Sequence, residues 1–155
     1  MTPDPATDTQ VSPLLVTARE LIEDVVTLPP PVILDVRWQL GDANGREHYW
    51  SGHIPGAQYL DLPGDLAGQR NVREGRHPLP SPEDFEDAMR RVGIDDDSRV
   101  VIYDDCGNTS AARAWWLMRW AGKKRPRSSR KFPVGMFTAP GMCPARESIG
   151  SVRPS

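Results

Sequence analysis

Two uninterrupted apolar runs, Val32-Ile33-Leu34-Asp35-Val36 and Val100-Val101-Ile102-Tyr103-Asp104, constrain the fold of this chain more than any other feature. Neither alternates polar with apolar residues, so neither suits a strand with one wet face. Each carries an acid near its end and is otherwise fit for burial on both sides, the condition of a central strand in a parallel sheet. The intervening sequence supplies the helices such a sheet needs. Thr17-Ala18-Arg19-Glu20 is a capping box that opens a helix through about Val26, and Arg46 to Trp50 gives one or two helical turns. Ser81-Pro82-Glu83-Asp84 starts another, with Phe85, Met89 and Val92 as its apolar stripe and Gly93 as its end. A last helix runs from about Ser110 to Trp120, closed by Gly122. Leu14-Leu15-Val16 and Ala57 to Leu62 add strands, whereas Pro63 to Pro80 has no period and reads as a long surface loop. The pattern predicts a three-layer α/β/α domain with a mainly parallel sheet over residues 13–122.

Charge divides the chain at the same place. Residues 123–155 hold eight of the 19 Lys and Arg and one of the 21 acids, a net of +7, which leaves −9 on residues 1–122. The sequence thus predicts a disordered segment over 1–12, a folded acidic domain, and a basic Pro/Ser/Arg-rich tail that is disordered and contributes nothing to folding. An acidic body argues against nucleic acid as the partner. No run reaches the roughly 18 apolar residues that span a bilayer, and Met1 to Pro5 has no secretory core, so the expected location is cytoplasmic, with no membrane partner. Cys106 and Cys143 lie far apart, in unlike contexts and without Cys-x-x-Cys spacing. Reduced thiols are expected, and the scattered His48, His53 and His77 form no metal triad.

The first apolar run ends in Asp35-Val36-Arg37-Trp38, and Ser51-Gly52-His53-Ile54-Pro55-Gly56-Ala57 follows at a short distance. The pairing resembles the first signature of the rhodanese family, the sulfurtransferases that carry sulfur on a cysteine persulfide, and the resemblance extends from about Leu14 to Gly122. It implies a rhodanese-like fold, and no metal or organic cofactor. It also implies a small anionic sulfur donor, thiosulfate or 3-mercaptopyruvate, and cyanide or a thiol as acceptor. Asp35, Arg37, Gly52, His53, Pro55 and Gly56 are its structural signature. The expected role of the Asp35–Arg37 pair is to tie the strand end to the Gly52–Ala57 turn, with His53 bonding to backbone.

In open α/β sheets ligands bind beyond the carboxyl ends of the strands, which directs attention to Tyr103-Asp104-Asp105-Cys106-Gly107-Asn108-Thr109-Ser110. The family's active loop follows this strand, opening with a cysteine whose thiolate is held by inward-turned backbone N–H groups. Here Asp104 stands at the position resembling that nucleophile, and an Asp cannot carry a persulfide. Tyr-Asp at the strand end followed by Ala112-Arg113-Ala114-Trp115-Trp116 is similar to the amino-terminal, non-catalytic domain of two-domain rhodaneses and mercaptopyruvate sulfurtransferases. Cys106 is then either a second nucleophile in the loop or a small loop residue without a role. Trp115, Trp116 and Trp120 read as packing residues. The cationic stretch Arg70 to Pro80 ends in a segment resembling the family's His-x-Leu-Pro, which faces the cleft between domains. Arg76, His77 and Trp38 are accordingly the expected substrate-binding residues, with solvated loop charge as the other reading of Arg76.

After Gly122 the family continues with a short Val-rich strand, a Gly-Gly turn and a Trp-bearing helix, but this chain reads Lys123-Lys124-Arg125-Pro126-Arg127. Codons for Arg125-Pro126-Arg127 read one base later can encode Val-Arg-Val, so a shifted reading frame is the expectation at this junction. The sequence therefore implies a truncated, inactive sulfurtransferase domain whose sheet is incomplete at its C-terminal end. A catalytically silent module that binds a protein partner is the rival.

Overall fold

The computed structural model describes the backbone of residues 15–124 and 134–138 and the side chains of residues 15–122. A five-stranded sheet contains β1 (Leu15–Val16), β2 (Val32–Asp35), β3 (Gln58–Tyr59), β4 (Val100–Asp104) and β5 (Val134–Thr138), in the order β1-β5-β4-β2-β3. Every neighbouring pair is parallel. The helices are α1 (Ala18–Asp24), α2 (Gly45–Ser51), α3 (Leu62–Asp65), α4 (Pro82–Arg91) and α5 (Thr109–Lys124). The α/β fold with a parallel sheet read from the sequence is the fold observed. Among the described residues no helix is long and apolar enough to cross a membrane.

Side chains alternate across the pleat, and this separates two cores. Leu34 and Ile102 point to one face, where Leu60, Leu66, Phe85 and Leu117 join them under α4 and α5. Ile33, Val101 and Tyr103 point to the other, packed with Leu21 of α1 and Ala57. Both faces of β2 and β4 are thus dry, as their unbroken apolar runs require. Local chemistry sets the helix starts: Thr17 and Glu20 form the reciprocal capping box, and the Ser81 hydroxyl accepts the Asp84 N–H ahead of Pro82.

Three expectations are corrected. The strand read over Ala57–Leu62 is only Gln58–Tyr59, because the Asp61 side chain accepts the Gly64 N–H and starts α3, taking Leu62 to Asp65 from both the strand and the loop. Gly122 does not close α5, which continues to Lys124, since nothing in a helix interior forbids glycine beyond a modest propensity cost. The third correction is the largest. Residues 134–138, expected in a tail without structure, form β5 and fill the place between β1 and β4, with Val100 opposite Val134 and Asp104 opposite Thr138. Residues 123–124 of the predicted tail belong to α5, and the rest of it, including Cys143, lies outside the described residues together with the predicted disordered start.

The reason lies in the sheet rather than in the segment. Val-Gly-Met-Phe-Thr between two prolines is a weak strand signal alone, but β4 presents a full edge of backbone donors and acceptors that only another strand satisfies. Deleting residues 134–155 bares that edge and leaves the two-residue β1 without its partner. We expect the shortened chain to unfold at least 5 °C below the full chain in a thermal melt, or to aggregate; equal melting temperatures would show that β5 contributes nothing.

Candidate active-site loop and adjoining cleft

The site is built where β2 and β4 end side by side. Asp35 and Tyr103 are register partners on the same face of the sheet, so their side chains meet. The Tyr103 hydroxyl donates to Asp35 Oδ2 at 2.6 Å and accepts the Ile54 N–H at 3.1 Å. Arg37 closes the network: its Nε and Nη2 grip the Asp35 carboxylate, the latter at 2.7 Å, and Nη2 also donates to the Gly52 carbonyl at 2.6 Å. Asp35 is completely buried and Arg37 nearly so. Burial pulls the guanidinium pKa down, but the bond and charge of Asp35 outweigh it and leave Arg37 above its ordinary value. Burial, and then the bond to Asp35, raise the Tyr103 phenol far above its own. This network fastens the Gly52–Ala57 turn to the two central strands. Within the turn His53 Nδ1 lies 2.8 Å from the Tyr49 carbonyl, and its ring stacks on Tyr49 at 3.9 Å. Pro55 and Gly56, the latter at φ +82°, complete the bend.

The loop after β4 curls around one carboxylate. Asp104 Oδ1 accepts the N–H groups of Cys106 and Asn108, at 3.0 and 2.8 Å, and Oδ2 those of Ser110 and Ala111, at 2.8 and 3.0 Å. Gly107 and Asn108 both have φ near +65°, the left-handed conformation that turns these amides inward. Asp104 is 2% exposed, so the cradle is closed over its own carboxylate. Cys106, a partly buried residue, donates its backbone N–H to that carboxylate. Burial raises the pKa of the neighbouring Asp105 carboxyl.

Beside this loop lies a cleft of about 190 Å³ lined by Arg37, Trp38, Gln39, Asp42, His48 and Asp105. His48 Nε2 is 2.8 Å from Asp42 Oδ2, a pairing across six residues that carries no periodic signal in the sequence. The Trp38 indole stands edge-on to His77 with ring centroids 5.0 Å apart, so the structure brings together two of the three residues expected to bind substrate; the third, Arg76, is exposed next to them. Arg113, not singled out in the sequence beyond its helix motif, holds this arrangement. Its Nε donates to the Leu66 carbonyl, and its Nη2 to those of His77 and Pro78. An Arg between two alanines on the core side of a helix was the available clue. Burial depresses the His77 pKa first, and Arg113, Arg76 and Arg70 then add positive potential. A larger cavity, about 580 Å³, opens at the opposite end of the sheet among Phe85, Met89, Ile94, Val100, Met118 and Trp120, away from all these groups. Among the described residues no cluster of His, Cys, Asp and Glu could hold a metal ion.

Two outcomes are expected. Replacing Asp35 with Ala strands the Arg37 charge in the interior and should cost about 3–5 kcal/mol in urea unfolding; a loss under about 1 kcal/mol would show that the pair is not the tie. For His77, the folded pKa lies below the unfolded one, so the unfolded chain binds more protons between them. Its contribution is therefore present above the ordinary value of 6.5 and is lost as pH falls through it toward the depressed folded pKa. Arg70→Gln should move the His77 titration, followed by NMR, upward; an unmoved or lowered pKa would remove Arg70 from its surroundings.

Comparison with known proteins gives the family to which this fold belongs. The sequence profile of the Rhodanese-like domain matches residues 17–129. A Mycobacterium tuberculosis protein provisionally named thiosulfate sulfurtransferase SseB is 42% identical over 109 residues, which cover 70% of this chain and 38% of the relative. The 3-mercaptopyruvate sulfurtransferase of Escherichia coli is 38% identical over 84 residues, 54% of this chain and 29% of the enzyme. Among solved structures, the E. coli SseA 3-mercaptopyruvate sulfurtransferase superposes with a TM-score of 0.61 at 31% identity, covering 80% of this chain and 45% of that one. The 3-mercaptopyruvate sulfurtransferase from Leishmania major gives 0.65 at 24% identity, a likeness of fold, over 80% and 32%. The chain thus spans less than two fifths of the length of these two curated relatives.

Proposed function

This chain belongs to the rhodanese family, and from that premise we propose that it is a rhodanese-type sulfurtransferase domain of the amino-terminal, non-catalytic kind, inactive by itself. In the family reaction a cysteine thiolate attacks the sulfane sulfur of thiosulfate. The sulfur–sulfur bond breaks, sulfite leaves with its electron pair, and the enzyme persulfide then gives its outer sulfur to cyanide or to a thiol. With 3-mercaptopyruvate as donor the carbon–sulfur bond breaks instead, and pyruvate leaves as its enolate and takes up a proton. The step needs a sulfur nucleophile inside an amide cradle.

One observation carries the reading: the cradle here is taken by Asp104, whose carboxylate accepts four backbone N–H groups and is buried. A carboxylate has no sulfur to donate or accept, and its presence denies those amides to any incoming anion. Cys106 gives its own N–H to that carboxylate, so this amide is not available to hold a thiolate or a persulfide. What remains for this domain is the cleft. Trp38, His77 and Arg76 would face the anionic donor, with the guanidinium supplying charge and Arg113 holding the His77 backbone in place. Asp35, Arg37, Gly52, His53, Pro55 and Gly56 are structural residues in this reading.

The purified chain should form no thiocyanate above background from thiosulfate and cyanide, and no persulfide detectable by mass spectrometry after thiosulfate treatment. Turnover that Cys106→Ser abolishes would overturn this reading and make Cys106 the nucleophile.

A further inference from the structure

We infer that the Arg70–Arg76 turn is a docking surface for an acidic, apolar-bearing segment of a partner protein, received beside the Trp38–His77 cleft. The inference does not rest on sulfur chemistry, only on what this turn displays.

The turn is preorganised. Asn71 Oδ1 accepts the N–H groups of Arg73 and Glu74, at 2.9 and 3.0 Å, its amide nitrogen donates to the Glu74 carboxylate, and Asn71 bridges to Gly75 across the turn. Gly75 takes φ +83°, where a side chain would be strained. The base of the loop is anchored by Arg113 and by the Gly68 N–H donating to the Pro78 carbonyl at 3.1 Å. Ordering entropy that a loose loop would lose on binding is therefore already spent in folding.

Its chemistry is that of an anion receptor with an apolar tip. Arg70, Arg73 and Arg76 are exposed, and among the described residues none of the three is in an ion pair. Glu74, the acid within the turn, is held by Asn71. Val72 projects at the tip with 105% relative exposure, an apolar side chain with no burial in the domain. Trp38, which lines the cleft, meets His77 edge-on, and Arg76 is the neighbour of His77 in the chain, so a partner docked on the turn would sit at the cleft's mouth.

The surrounding charge selects the occupant. Residues 1–122 carry a net of −9, so a long polyanion such as a nucleic acid, or an anionic bilayer, would meet repulsion beyond the few residues of the turn. A short acidic segment touches the turn alone. An aliphatic side chain in that segment gives Val72 a partner, which a phosphate backbone does not.

The test is fluorescence anisotropy with the full chain and a fluorescein-labelled Glu-Glu-Leu-Asp-Glu-Leu peptide. Micromolar binding that weakens as salt rises is expected, falling at least tenfold for Arg70→Glu/Arg73→Glu and about threefold for Val72→Ser. Arg70→Lys/Arg73→Lys, which keeps the charge, should retain most of the affinity, and near-UV circular dichroism will show each variant folded. Absence of peptide binding overturns the inference. So does an affinity unchanged by the charge reversal, which would place the peptide on the basic residues after 122. Tighter binding of a single-stranded oligothymidylate or of phosphatidylserine vesicles through the same two arginines would overturn it equally, by making the occupant a different class of molecule.

Discussion

The buried carboxylate of Asp35 is the point through which the rest of the structure is held. It receives Arg37 through the guanidinium and backbone and Tyr103 through the phenol, and those two groups reach the Gly52 carbonyl and the Ile54 amide. Two central strands and the turn that follows α2 are therefore coupled by one charge. Such a pair is poorly compensated in water-free surroundings unless every donor and acceptor finds a partner, and here the carboxylate oxygens do. Because the turn is fixed, α2 and the cleft residues Asp42 and His48 around it have a defined place beside Trp38.

A second buried carboxylate, Asp104, works differently. Among the described residues it meets no cation in its cradle but four amides of its own loop, so the anion held in this loop belongs to the chain itself. The loop keeps the geometry of an anion site while its occupant is covalently fixed. Arg76 and His77, the latter held through its carbonyl by Arg113 and meeting Trp38 edge-on, lie on a separate segment from this loop.

The elements legible in the sequence were those whose signal is local. The capping boxes and proline starts of α1 and α4 and the unbroken runs of β2 and β4 state their structure within a few residues. Asp61 was missed because its side chain ends a strand by capping a helix of only four residues, too short to show a period. In the site, Asp35 and Arg37 stood out by motif, and the meeting of Trp38 with His77 was anticipated only by resemblance. The Asp42–His48 pair and the grip of Arg113 on two separate loop carbonyls were not readable, since both join residues that no spacing rule connects.

By itself, then, the sequence determined the layer architecture and the identity of the central strands, since apolar patterning is a property of short stretches. Tertiary structure alone decided that Val134–Thr138 is a strand and that Asp104 fills its own amide cradle. Backbone hydrogen-bonding demand explains both: an open sheet edge and a ring of inward N–H groups exist only once distant segments are in place, and each then dictates what must satisfy it.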